Sequence, residues 1–323
     1  MNKRDTVIVT GATSFLGSAT VRMLLSEGHS VVAVIRPGSE HTNRLPEGAS
    51  GLSIVPAPLF GSAIIKSMIP HCDLWFQFGW GATNPSKRND ASEQHQNVYF
   101  SIQALETAAG MGARRFIFAG SQAEYGIYSQ PITESARCHP VSEYGKAKLN
   151  FGTLGAAAAS SLGIGFTHLR IFSVYGAGDH AHTMLPSCAK AFLKDETYEL
   201  SDCTQIWNYL NIHDFVSLMR KISASDNQDA NGIFNVASRD TRPLKEFVLE
   251  LHQLCGCRGN PVFGGPANKP EGPVQLIPDI SKVTSVFDWV PEISFAEGIR
   301  ELLCDIQERE FYYEENQHPY TLL

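Results

Sequence analysis

The first half of the chain alternates short β-branched runs with longer stretches that read as helices. Residues 6–9 form a buried strand, and 17–27 a helix closed by Gly28. Further strands are expected at 31–35, 52–55, 72–78, 115–119 and 165–172, with helices between them and an Ala-rich helix over 143–162. Strands and helices alternating at this spacing predict an α/β fold of Rossmann type, a doubly wound parallel sheet. After Tyr175 the texture changes to longer loops and scattered short elements. Only 244–255 and 295–309 read as helices there, and the Gly- and Pro-rich stretch 256–278 reads as loop. The expected organisation is a main unit over 1–175 and a smaller C-terminal lobe over 176–323, with some segments of the second stretch returning to the first unit. No internal repeat or low-complexity tract interrupts this pattern.

Composition narrows the picture. With 323 residues, 43% hydrophobic and 18% charged, the chain buries a full core. A formal net charge of −7 and a pI near 5.9 give no reason to expect nucleic acid or an anionic membrane as partner. The basic start Asn2-Lys3-Arg4 is followed by an apolar run, Val7-Ile8-Val9, too short for a signal peptide. No other segment approaches the roughly 18 uninterrupted apolar residues of a membrane span. The seven cysteines are scattered, with Cys255-Gly256-Cys257 the only close pair and no partner set to complete a zinc site. They are expected to be reduced thiols of a cytoplasmic protein without a metal.

Candidate chemistry begins at the first strand, which runs into Thr10-Gly11-Ala12-Thr13-Ser14-Phe15-Leu16-Gly17 and then a helix. Small residues let the backbone turn tightly, and the helix N-terminus presents free N–H groups and the positive dipole end to a pyrophosphate. Ser14 stands where a third glycine is usual. The second strand ends in Ile35-Arg36-Pro37-Gly38-Ser39, without the acid that would accept from a ribose 2′-hydroxyl and repel a 2′-phosphate. Arg36 instead suits a 2′-phosphate and the adenine face, so NADP(H) is favoured over NAD(H). Gly11, Thr13, Ser14, Phe15, Leu16, Gly17 and Arg36 are the candidate dinucleotide contacts at this end.

A second group follows the fifth strand. Tyr144 and Lys148, four residues apart, share one helix face. Transferring hydride to a carbonyl requires a proton donor at the oxygen, and a tyrosine of pKa about 10 serves at neutral pH only if a neighbouring cation stabilises its phenolate. Lys148 supplies that cation and is placed to hold the nicotinamide ribose. Ser121 ends the run Phe116-Ile117-Phe118-Ala119-Gly120-Ser121 at the carboxyl edge of the sheet, where ligands bind in such folds.

These residues together resemble the extended short-chain dehydrogenase/reductases, the nucleotide-sugar epimerase/dehydratase family. The resemblance continues through Gly120-Ser121-Gln122-Ala123-Glu124-Tyr125-Gly126, Pro140-Val141-Ser142-Glu143-Tyr144-Gly145-Lys146, and Leu169-Arg170-Ile171-Phe172-Ser173-Val174-Tyr175-Gly176. Near the end come Phe234-Asn235-Val236-Ala237, Asp279-Ile280-Ser281-Lys282, Trp289-Val290-Pro291 and Glu297-Gly298-Ile299. It implies Ser121, Tyr144 and Lys148 as catalytic triad, the latter two also contacting cofactor, a C-terminal lobe that holds substrate, and a homodimer formed through a helix bundle. Phe78, Gly79 and Trp80 fall near the nicotinamide, Gly79-Trp80 replacing a small Ala-Ala pair. Gln122, Ser173, Gln205 and Trp207 fall at substrate-facing positions.

Departures from the family pattern direct the expected reaction. Dehydratases carry an Asp-Glu pair directly after the catalytic Ser or Thr, where this chain has Gln122 and Ala123; Glu124 is one place too far. Trp207 stands at the arginine of a Gln-x-Arg-Asp-Phe motif that grips diphosphate, either stacking on a base or sugar or belonging to the core. Ser173 replaces a nucleotide-contacting Asn, Pro58 an Asp that meets the adenine, and His180 and His182 lie in a loop that either approaches substrate phosphate or is solvated. The missing acid after the second strand favours exchangeable NADPH and net reduction of a nucleotide-linked 4-keto(-6-deoxy) sugar. The alternatives are a 4-epimerase with tightly bound NAD and a non-catalytic dinucleotide-sensing protein.

Overall fold

Val7, Ile8 and Val9 are fully buried because the strand they form lies inside the sheet, covered on both faces. The computed structural model describes residues 4–58, 61–84, 86–265 and 275–317, with side chains up to residue 309. Strand β1 (Thr6–Thr10) is followed by α1 (Phe15–Ser26), β2 (Ser30–Ile35), β3 (Leu52–Pro56), α2 (Ser62–Met68), β4 (Leu74–Gln77) and α3 (Ala91–Gly110). Next come β5 (Arg115–Ala119), α4 (Glu143–Leu162), β6 (Gly165–Ile171), β7 (Ser173–Tyr175), α5 (Met184–Leu193), β8 (Thr197–Glu199) and β9 (Ile206–Asn211). The remainder is α6 (Ile212–Ala224), β10 (Gly232–Val236), β11 (Thr241–Pro243), α7 (Leu244–Leu254), β12 (Asn260–Val262), α8 (Ser281–Phe287) and α9 (Phe295–Gln317).

Seven parallel strands make the main sheet in the order β10-β6-β5-β4-β1-β2-β3. Chain direction of travel reverses between β1 and β4, so the carboxyl ends of β1, β4 and β5 open on the crevice where doubly wound sheets take ligands. Beneath it, one face of the sheet is floored by Trp75, Phe116, Phe118, Phe151 and Phe166, with Phe118 and Phe151 edge to face at 4.6 Å. This rigid aromatic layer fixes the strand ends that carry the candidate site.

By contacts the chain divides into 1–172, 215–236 and 278–290 on one hand, and 173–214, 237–277 and 291–323 on the other. The second unit has its own core, in which Tyr175, Leu185, Phe192, Phe247, Leu251, Phe295 and Ile299 pack together. Its small sheet, β11-β9-β7, pairs strands far apart in sequence.

The structure differs from the sequence expectations in bounded ways. The strand expected over 72–78 is only Leu74–Gln77: the Cys72 N–H bonds outside the sheet, to the Met111 carbonyl, and the Asp73 N–H bonds to the Thr6 carbonyl at the start of β1. Within the stretch read as loop, Asn260–Val262 pairs with β8; residues 266–274 of that stretch lie outside the described residues, as do residues 1–3. The helices α5, α6 and α8 and the main-sheet strand β10 were not anticipated, and the last helix extends beyond 309 to Gln317. No described helix is long and apolar enough to cross a membrane. All seven cysteines are free thiols, with the buried Cys72 and Cys188 pushed up in pKa by desolvation.

Candidate active site

The Gly11 backbone has φ of +63°, a conformation open to glycine, and a Cβ there would sit 2.8 Å from the Gly79 nitrogen. The loop after β1 thus packs directly on the loop after β4, and Thr10 joins them: its hydroxyl accepts from Gly79 N–H at 3.0 Å and donates to Gln77 Oε1 at 3.0 Å. Ser14 caps α1 by accepting from Gly17 N–H at 3.1 Å. The Phe15 and Leu16 N–H groups make no hydrogen bond among the described residues and lie in the first turn, at the positive end of the helix dipole. Thr13 touches Ser39 across the loops, hydroxyl to hydroxyl at 3.3 Å.

Arg36 leaves β2 at a turn in which Ser39 N–H bonds back to the Arg36 carbonyl at 3.1 Å, with Pro37 and Gly38 at its centre. Its guanidinium is exposed and makes no ion pair or hydrogen bond among the described residues. Pro58 ends the segment after β3 and is half-buried.

At the end of β5, Ser121 is the N-cap of a short turn over Gln122–Glu124. Its hydroxyl accepts from Ala123 N–H at 3.2 Å, while Glu124 reaches back to Ser121 N–H at 2.8 Å, a reciprocal capping box. Glu124 is fully buried and also meets His168 Nε2 at 3.0 Å and Arg170 Nε at 2.9 Å. Burial disfavours its charge, but His168, Arg170 and the Ser121 N–H together hold the carboxyl below the usual range. Glu124 therefore faces away from the crevice and fixes Ser121 from behind.

Helix α4 brings Tyr144 and Lys148 to the same corner. A Cβ at Gly145 would collide with the Ala123 carbonyl, so glycine lets the 122–124 turn lie against the helix and sets Ser121 beside Tyr144. Tyr144 is half-buried; desolvation pushes its phenol up, against Arg88 and a hydrogen bond with Ser121, which draw it down. Lys148 is buried and donates to the Ala119 carbonyl at 2.6 Å. Its ammonium lies 3.9 Å from the Trp80 ring centre and 5.7 Å from that of Tyr144. Burial lowers the Lys148 pKa to about 7, with Glu124 opposing the shift and Arg88 adding to it.

Trp80 is held by Gln94, whose Oε1 accepts from the indole N–H at 2.9 Å, and its ring meets Tyr144 edge to face at 6.5 Å. Asn97, on α3, accepts from Gly81 N–H at 2.8 Å and donates to the Gly81 carbonyl at 3.1 Å, locking the loop. Arg88, Gln94 and Asn97 went unnoticed in the sequence. For Arg88 no local pattern gives a signal; for Gln94 and Asn97 the signal was two amides on the inner face of a helix that continues there with Val98, Ala104, Leu105 and Ala108.

Gln122 is half-buried on the turn after Ser121. Ser173, Gln205 and Trp207 belong to the second unit. Ser173 pairs with Tyr209 across β7 and β9, and the Gln205 carbonyl accepts from Leu244 N–H at 2.9 Å. Trp207 lies in β9 opposite Arg242, partly buried against the second core and 6.3 Å from the Tyr209 ring. Arg242 is bound by Asp240 and Glu250. His180 and His182 stack at 5.3 Å. Among the described residues no group of three His, Cys, Asp or Glu side chains is arranged to hold a metal.

Residues 7–237 match the model of the NAD dependent epimerase/dehydratase family. A UDP-glucose 4-epimerase of Corynebacterium glutamicum is 23% identical over 307 residues, covering 88% of this chain and 91% of that protein. A dTDP-6-deoxy-L-talose 4-dehydrogenase (NAD(+)) of Aggregatibacter actinomycetemcomitans is 26% identical over 257 residues, 76% of this chain and 88% of that protein. Among solved structures, UDP-glucose 4-epimerase of Thermotoga maritima with UDP-glucose superposes with a TM-score of 0.85 at 21% identity, over 94% of this chain and 99% of that one. UDP-glucuronic acid 4-epimerase of Bacillus cereus, in complex with UDP-glucuronic acid and NAD, gives 0.81 at 20% identity over 94% and 99%. At such identities the two structures speak for the fold alone.

Proposed function

The chain belongs to the NAD dependent epimerase/dehydratase family, and we propose that it reduces a nucleotide-diphosphate-linked 4-keto(-6-deoxy) sugar with NADPH. The observation that carries this reading is the absence of any acid at the end of β2, where Arg36 projects with no carboxylate bound to it. A 2′-phosphate matches that guanidinium, whereas an NAD ribose would find no acceptor there. The free Phe15 and Leu16 N–H groups fit a pyrophosphate at the start of α1.

Bound nicotinamide would supply the hydride; the protein's part is to hold and protonate the carbonyl. Ser121 and Tyr144 converge so that both hydroxyls can donate to one oxygen, and Tyr144 gives up its proton to it as the alkoxide forms. Lys148, one helical turn from Tyr144, would hold the ribose hydroxyls of a bound dinucleotide. Phe78, Gly79 and Trp80 would line its nicotinamide side. Gln122, Ser173, Gln205 and Trp207 are the candidate substrate contacts; 1–175 forms the main part of the cofactor unit and 176–323 most of the substrate lobe, with segments such as 215–236 returning to the first unit. Glu124, tied to His168 and Arg170, is spent on structure, and this argues against dehydration. The active species is a homodimer in the cytoplasm, and sedimentation of the purified chain checks the dimer.

The second reading is a 4-epimerase with resident NAD, favoured by the epimerase names and the NAD among the relatives and neighbours above. The two separate on one experiment. Purified protein that carries no nucleotide and oxidises added NADPH when offered a nucleotide-linked keto sugar supports reduction. Protein that retains NAD through purification and interconverts nucleotide hexoses without added cofactor overturns it.

A further inference from the structure

The candidate general acid is faced by two cations, and the sequence pattern points only to Lys148. Its ammonium is committed elsewhere, on the Ala119 carbonyl and the Trp80 face, 5.7 Å from the Tyr144 ring centre. Arg88 is nearer: its guanidinium carbon lies 4.3 Å from that centre. No carboxylate neutralises Arg88 among the described residues, and its neighbour Lys87 is the one that pairs with Glu93, at 3.3 Å.

The backbone keeps Arg88 there. The first N–H groups of α4 have no partner within the helix. Ser142 takes those of Gly145, by its hydroxyl, and of Lys146, by its carbonyl. The Arg88 carbonyl takes Tyr144 N–H at 2.9 Å, and Asn89 Oδ1 takes Glu143 N–H at 3.2 Å. The 88–89 segment is thus part of the cap of α4. Arg88 and Tyr144 are joined backbone to backbone, and the guanidinium overlies the ring from a fixed base.

We propose that Arg88 is the positioning residue that supplies the stabilising cation to the Tyr144 phenolate before cofactor binds, leaving Lys148 for the ribose. The proposal rests on Tyr144 being the proton donor. The groups facing the phenol are Arg88 from the loop before α3, Lys148 from α4 itself and Ser121 from the turn after β5, with Glu124 acting only through space from behind Ser121. Burial is the largest influence on the phenol and disfavours its ionised form, Arg88 and Ser121 work against burial, and Glu124 adds to it; burial also lowers the Lys148 pKa to about 7.

The test titrates Tyr144 directly in the full, cofactor-free chain, through the fluorine resonance of a fluorotyrosine carried at position 144. Arg88→Gln is expected to raise the phenol's pKa by about one unit, the size of effect a nearby charge has. Arg88→Lys should restore most of the shift, and Lys148→Met should move the phenol less than Arg88→Gln does. The proposal is overturned if Arg88→Gln leaves the titration unchanged, if Arg88→Lys behaves like Arg88→Gln, or if Lys148→Met gives the larger shift. The measurement needs neither NADPH nor substrate, so an incorrect substrate assignment leaves it readable.

Discussion

The carboxyl end of β5 and the small sheet β7-β9-β11 are both rich in aromatic and polar side chains, but they are assembled differently. At β5, partners are local: Ser121 caps Ala123, Glu124 returns to Ser121, and Tyr144 and Lys148 sit one turn apart on a helix whose Gly145 admits the turn. In the small sheet, three-stranded and drawn from both sides of α6, each neighbour is remote. Trp207 faces Arg242, and Asn208 donates to the Ser238 and Asp240 carbonyls at 2.8 and 3.1 Å. The first region is thus specified by motifs within reach of one another, the second by tertiary pairing. If that difference is functional, damage at β5 should abolish chemistry, and equivalent damage in the small sheet should cost much less.

Tyr144→Phe makes the largest test. It removes the proton donor and preserves the ring that Arg88 and Trp80 contact. Turnover should fall by about a hundredfold or more, the scale of general acid catalysis, with little loss of stability. Full turnover in steady-state assays would sink the catalytic assignment.

Next in size is the buried support. Glu124→Gln leaves Arg170, only 3% exposed, without its carboxylate, and a broken buried pair costs about 3 kcal/mol or more. Glu250→Gln in the second unit breaks a pair to Arg242 whose side chains are 24% and 28% exposed, and solvent screening limits its cost to about 1 kcal/mol or less. Urea titrations of the two variants compare them directly. Equal losses would end the distinction between the regions. The pH dependence carries a sign: Glu124 has a depressed folded-state pKa, so its stabilisation is complete above the unfolded value near 4.5 and lost as pH falls through the lower folded one. Glu124→Gln should lose that acid-side dependence, leaving a flatter stability profile below pH 4.5 than the parent's.

The same contrast explains what the sequence made legible. Strands such as β2 and β5 could be read because each is a short β-branched or aromatic run buried along nearly its whole length, whereas β10, in which Asn235 interrupts the apolar residues, gave no such signal; Ser121, Tyr144 and Lys148 could be located by spacing and element order. The 206–211 strand mixes Trp207, Asn208, Tyr209 and Asn211 with apolar residues, and its pattern has meaning only once β7 and β11 lie beside it. Arg88 was invisible for a related reason. Its role depends on a loop being tied to the first turn of a helix more than fifty residues later, a contact with no signature in local periodicity. The reading of Glu124 as directed away from the crevice was available from its offset alone, but its partners His168 and Arg170, on a neighbouring strand, were not.

At the cofactor end the expected effect is smaller. Arg36→Ala should raise the KM for NADPH by about tenfold and leave that for NADH almost unchanged, since a charge-assisted contact is worth about 1.5 kcal/mol. Because the side chain is exposed and makes no hydrogen bond or ion pair among the described residues, its removal should not alter stability, which isolates the effect on the 2′-phosphate. Equal changes for both cofactors would refute the assignment and, with it, the main support for net reduction.

The smallest effect concerns Ser14, the residue in the place of the usual glycine. Its hydroxyl already accepts Gly17 N–H, so one of the free N–H groups of α1 is satisfied by the protein and not by a ligand. Ser14→Ala removes that acceptor and should cost about 1 kcal/mol, whereas Ser14→Gly should cost only a few tenths, because glycine is tolerated at an N-cap. Thermal denaturation of both variants without cofactor measures the cap alone. Repeating it with saturating NADPH then shows what the hydroxyl does for the dinucleotide. If serine serves only as a cap, Ser14→Gly should be stabilised by NADPH at least as much as the parent, since the glycine backbone gives a pyrophosphate equal access to Phe15 and Leu16 N–H. A stabilisation markedly below the parent's would mean that the hydroxyl itself contacts the phosphate, making Ser14 a binding group and not merely a small residue that spares the turn.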